Sequence, residues 1–194
     1  MVNQQLLDYI KQQLQQGASN TVRLLSLSGE VQKALGERKI SEGHARVILT
    51  VDNFLKQQIG KKEYDTVGEV FEVINAIPEF VEAIKGKAGP AIVVGSEKSR
   101  AGKVLVSFTG GTNPSKELYI ELAKAGVGTL VEMHVPEDAM TELKKLHINV
   151  IDCGHMAADS IGANLFLDEL EKQGVEVIVC SGIARVIRSK ARRA

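Results

Sequence analysis

Between residues 91 and 180, short apolar runs alternate with longer amphipathic ones, and few folds accept that pattern. AIVVG (91–95), KVLVSF (103–108), GTLVEM (128–133), INVIDC (148–153) and VEVIVC (175–180) read as strands. Residues 115–125, 136–146 and 156–173 read as helices between them. Strands that alternate with helices of this length predict an α/β class, with a largely parallel sheet covered by helices. Residues 96–102 are short enough for a hairpin-like connection between the first two strands. Ligands in such sheets bind beyond the carboxyl ends of the strands, so those ends hold the candidate chemistry.

The chain before this region has another character. Leu6, Leu7, Ile10 and Leu14 lie at helical spacing among many glutamines, and Gly17 ends that helix. Ser19 or Asn20 can cap a second helix, and further helical stretches follow towards Ile59. The polar break KKEYD (61–65) marks the expected boundary: an all-helical module over 1–62, and an α/β domain with a basic tail over 63–194. Within the second unit, Asp65 or Thr66 caps a helix carrying Val67, Val70, Phe71 and Ile74. Pro78 starts another helix that Gly86 ends.

Basic and acidic residues number 24 each, so the formal net charge is zero. That balance argues against a chain whose main task is to hold nucleic acid or an anionic membrane. Arg185, Arg188, Lys190, Arg192 and Arg193 crowd the last ten residues, which reads as a solvated, frayed tail. Cys153 and Cys180 each end an apolar run, where buried free thiols are expected. With no signal peptide or spanning segment in the sequence, the expectation is a cytoplasmic protein without disulfides.

Four strand ends carry polar or glycine-rich sequence. FTGGTNPS (108–115) places Gly110, Gly111 and Thr112 between a strand and a helix. There the backbone amides can face an anion, or simply make a tight turn. Glu132 and His134 alternate at the end of their strand, which suits proton transfer or metal support, or equally a surface pair. Residues 179–182 lack a nucleophile elbow, which disfavours serine hydrolysis. NVIDCGHMAADSIG (149–162) is a strand, a turn at Gly154 and a helix start. His155 and Asp159 share one helix face there, so a nitrogen and a carboxylate oxygen can converge on one point. A metal ion is the natural third party, although an ordinary helix start gives the same pattern.

Two resemblances add to this reading. RLL-x-L and KISEGHAR, within residues 19–49, resemble the helix-turn-helix region of ParB-type partition proteins. The segments TVGEVFEVINAIPEF, GPAIVVGSEKSRAGKV, TGGTNPSKELY, AGVGTLVEMHVPED and HINVIDCGHMAADSIGANLFLDELEKQGVEVIVCSGIARV resemble, in order, the C-terminal part of the NIF-three-like family, also named GTP cyclohydrolase I type 2 homologues. That second resemblance implies an α/β fold, a ring-like homo-oligomer and a two-metal site. It implies His155 and Asp159 as metal ligands, and Asp52 as another through the remnant LTVDN (49–53). The family's paired histidines are absent from this sequence, and so is the histidine expected before Asp52.

The resemblance thus implies a metal-binding protein with an incomplete site in this chain. The implied activity is divalent-metal-dependent hydrolysis of a nucleotide-like or phosphorylated small molecule, with Glu132 or His134 moving the proton and Gly110, Gly111 and Thr112 receiving an anionic group. Zinc, manganese, iron and magnesium are not distinguished by these residues, and the missing ligands also admit a site without an ion. Two alternatives stand: a non-catalytic oligomerisation or adaptor domain, and a DNA-binding protein that uses its N-terminal helices.

Overall fold

The computed structural model describes residues 51, 53–60, 63–108, 116–180 and 183–188. Among these residues a four-stranded sheet runs in the order β1-β4-β3-β2, with β1 Ala91–Val94, β2 Lys103–Ser107, β3 Val127–Glu132 and β4 Asn149–Asp152. β2, β3 and β4 are mutually parallel, and β1 joins β4 antiparallel. Five helices accompany the sheet: α1 Val67–Asn75, α2 Pro78–Lys85, α3 Lys116–Lys124, α4 Glu137–Lys145 and α5 His155–Lys172. Residues 53–59 are also helical. The architecture is the expected α/β class with a largely parallel sheet.

Side-chain alternation along the central strands sorts the helices into two layers. Val131 and Ile151 face a core that also holds Val51, Leu55, Ile59, Val67, Phe80 and Ile161, so Val51, residues 53–59, α1, α2 and α5 cover that side. Leu130 and Val150 face the other way, against Tyr119, Ala139 and Leu143 of α3 and α4. The local signals behave as their chemistry requires. The Thr66 hydroxyl accepts from the Glu69 amide and caps α1. Pro78 opens α2, and Gly86 closes it.

The first two strands are not a hairpin. β1 and β2 occupy opposite edges of the sheet, and residues 95–102 run between them along the amino ends of β4 and β3. Crossing three strand spacings needs only about 15 Å, and a link of that length reaches about 25 Å when extended. A short link therefore did not require neighbouring strands. Side chains fix its path: Thr129 Oγ1 donates to the Ala101 carbonyl at 2.6 Å, and Asn149 Nδ2 donates to the Arg100 carbonyl at 3.0 Å. The same link caps α1, whose Val67 and Gly68 amides donate to the carbonyls of Ser99 and Glu97. A Cβ on Gly68 would lie 3.1 Å from the Glu97 oxygen, which explains glycine there.

Three further expectations are corrected. Residues 175–180 form no strand, because their backbone joins no ladder among the described residues. Val175, Ile178 and Val179 are exposed. Cys180 is likewise exposed, since the apolar run it ends never enters the sheet, whereas Cys153 is fully buried. Lastly, residues 183–188 are not a frayed tail. Arg185 and Arg188 are drawn onto α2 and α5 by ion pairs to Asp168, Glu171 and Glu79. No helix among the described residues is long and apolar enough to cross a membrane.

Candidate metal site at the carboxyl ends of β3 and β4

The parallel register of β3 and β4 builds this site. Glu132 pairs with Asp152 at the last step of the ladder, and the Cys153 amide then donates to the Glu132 carbonyl at 2.9 Å. The two chains therefore leave the sheet side by side. Asp152 Oδ1 accepts from the Gly154 amide at 3.0 Å and closes a tight turn. Gly154 has φ of 79°, a left-handed conformation that glycine takes without strain, and α5 starts at the next residue. His155 is thus the first residue of α5, over the end of β4.

His155 Nε2 lies 3.4 Å from Asp159 Oδ2 on the same helix face. The two side chains are 48% and 60% exposed. His134, past the end of β3, brings its ring to 5.5 Å from that of His155, tilted by 35°. His134 is exposed as well. Glu132 closes β3 and is buried. Gly110, Gly111, Thr112 and Asp52 lie outside the described residues.

Two ligands held about 2.1 Å from one tetrahedral ion stand about 3.4 Å apart. The spacing between His155 Nε2 and Asp159 Oδ2 matches that value, so the pair fits two positions of one coordination sphere. The His134 ring lies beside that of His155. No group of three or more His, Cys, Asp or Glu side chains converges tightly enough to hold an ion among the described residues. Among the described residues, His134, His155 and Asp159 are exposed to solvent at these strand ends. The Cys153 thiol is buried, and burial, with the Asp152 charge adding, pushes its pKa far up.

A second ionic group lies further along α5, and it was not foreseen. Arg188 donates to both oxygens of buried Glu79, with Nη1 to Oε1 at 2.6 Å. Arg185 donates to Asp168 and, at 2.7 Å, to Glu171. Asn164, fully buried, donates to Glu79 Oε1 at 3.0 Å and accepts from the Val186 amide at 3.2 Å. The Arg188 guanidinium also lies 4.7 Å from the Phe54 ring centroid. Burial raises the Glu79 pKa, but the bonds from Arg188 and Asn164 outweigh it and hold the carboxyl below its ordinary value. A readable signal existed: Asn164 and Asp168 continue the buried face begun by Ala157 and Ile161 at helical spacing.

Comparisons with known proteins fall into two parts. A family model for the ParB HTH domain matches residues 5–70. No curated protein sequence matches the chain. Among solved structures, a NIF3 superfamily protein from Sphaerobacter thermophilus is similar at a TM-score of 0.54 and 19% identity, over 89% of this chain and 70% of that one. This likeness shows that the chain has a NIF3-like α/β fold. Reduced HcgD from Methanocaldococcus jannaschii is 16% identical at a TM-score of 0.45, over 64% of this chain and 52% of that one. A Bacillus cereus protein related to NIF3 is 18% identical at 0.39, over 60% and 29%.

Proposed function

We propose that this NIF3-like protein binds a divalent metal ion through His155 and Asp159 and hydrolyses a nucleotide-like or phosphorylated small molecule. The observation that carries the proposal is the 3.4 Å pair at the start of α5, exposed and beside His134 at the carboxyl ends of two parallel strands. Such strand ends are where sheets of this type place ligands. The substrate class follows from the sequence resemblance to GTP cyclohydrolase I type 2 homologues.

In this reading, His155 and Asp159 hold the ion, and Asp52 and a second copy of the chain supply the remaining ligands. A bound divalent ion would polarise a substrate oxygen and lower the pKa of its water. His134, exposed and next to His155, is better placed than buried Glu132 to carry a proton to or from the substrate. Amides of the loop holding Gly110, Gly111 and Thr112 receive the anionic group.

The test is release of inorganic phosphate from GTP and from p-nitrophenyl phosphate by the full chain, with added divalent ions and with chelator. Turnover should need the ion. It should fall about a hundredfold or more in His155→Ala and His134→Ala. Equal turnover in wild type and His155→Ala contradicts the reading. An ion retained without turnover leaves the adaptor reading in its place.

The match of residues 5–70 to the ParB HTH model favours a second reading, DNA binding by the N-terminal module. A mobility shift on duplex DNA that weakens steeply with salt would support it, and no shift at low salt would remove it.

A further inference from the structure

At the opposite end of the sheet lies a cavity of about 890 Å³, within the usual size range of small-molecule sites. Its lining includes Glu63, Tyr64 and Asp65 ahead of α1, Arg100 and Lys103 at the entry to β2, and His147 ahead of β4. These residues sit at the amino ends of the parallel strands, away from His155. The walls are fixed by backbone contacts. The Ala101 amide donates to the Asp65 carbonyl at 3.0 Å, and Thr66 bridges to Arg100. Between them the floor is bare main chain, where Gly102 and Gly128 meet. A Cβ on Gly128 would lie 2.6 Å from the Ala101 oxygen, so no side chain can fill that space.

The opposite charges around this cavity do not pair with one another. Arg100, Lys103, Glu63 and Asp65 all line it, and none of the four makes a side-chain ion pair among the described residues. Opposite charges that face one cavity without meeting are complementary to a ligand that presents groups to both. An anionic group suits Arg100 and Lys103, since a guanidinium grips phosphate oxygens through paired N–H donors and an ammonium adds a point charge. Hydroxyl donors suit the carboxylates of Glu63 and Asp65, as acidic side chains accept from ribose hydroxyls elsewhere. Tyr64 also lines the cavity and supplies apolar ring surface.

We propose that this cavity is a second small-molecule site that binds a hydroxyl-bearing phosphate ester of the sugar-phosphate class. The phosphate lies against Arg100 and Lys103, and the hydroxyls lie against Glu63 and Asp65. The site is independent of the metal-site reading, which concerns the other end of the sheet.

The test is calorimetric titration of the full chain with ribose 5-phosphate, with inorganic phosphate and ribose as separate arms. Ribose 5-phosphate should bind saturably and more tightly than either fragment. The double variant R100A/K103A should weaken it about tenfold or more, the effect of losing charge-assisted bonds to a phosphate. The double variant E63Q/D65N should weaken ribose 5-phosphate while leaving inorganic phosphate unchanged. His155→Ala should change nothing here, which separates this site from the metal site. All these side chains are exposed, and circular dichroism verifies that each variant is folded. Absence of saturable binding, equal affinity for inorganic phosphate, or an unchanged affinity in R100A/K103A would overturn the proposal.

Discussion

The start and the middle of α5 carry charged side chains that meet their partners in opposite ways. In the middle, Asn164 and Asp168 are buried, and with Glu79, Arg185 and Arg188 they direct their hydrogen bonds at one another. At the start, His155 and Asp159 are about half exposed and make one loose contact at 3.4 Å. The first group holds the segment 183–188 onto the helices, and its removal should show as lost stability. The second group contributes little to folding, because an exposed i,i+4 pair is worth only about 0.3–0.5 kcal/mol.

The largest effect should come from breaking the buried group. Glu79→Ala leaves the Arg188 guanidinium without its carboxylate and should cost about 3–5 kcal/mol in denaturant unfolding. Asn164→Ala removes a donor to Glu79 and an acceptor for Val186, and about 1–3 kcal/mol is expected. An acid titration of stability sharpens the same point. The Glu79 carboxyl is held below its ordinary 4.5, so the unfolded chain takes up this proton first as pH falls. The stabilisation is complete above 4.5 and is lost as pH drops through the lower folded value. Glu79→Gln should flatten that part of the stability profile. The smallest effect belongs to the exposed pair: His155→Ala and Asp159→Ala should each change stability by no more than about 0.5 kcal/mol.

The same contrast explains what could be read in the sequence. Strands β1 to β4 were legible because apolar runs of four to six residues have few other uses. The cap at Thr66 and the bounds of α2 were legible because local chemistry decides them. The apolar run 175–180 misled, since a strand needs a partner edge and composition cannot provide one. The basic tail misled in a similar way: Arg188 finds Glu79 across 109 positions of sequence, so only the folded chain shows the partner. His155 and Asp159 were legible because helical spacing alone brings them together. The approach of His134 to His155 required the register of β3 against β4, which no local pattern contains.

The exposed group at the start of α5 is proposed to hold a metal ion, while the buried group holds the fold. Metal retained after loading and dialysis, measured by elemental analysis on folded protein, tests it most directly. Wild type and Asn164→Ala should retain the ion, and His155→Ala and Asp159→Ala should lose it with their stability intact. Equal retention by wild type and His155→Ala, or none in either, would contradict the account.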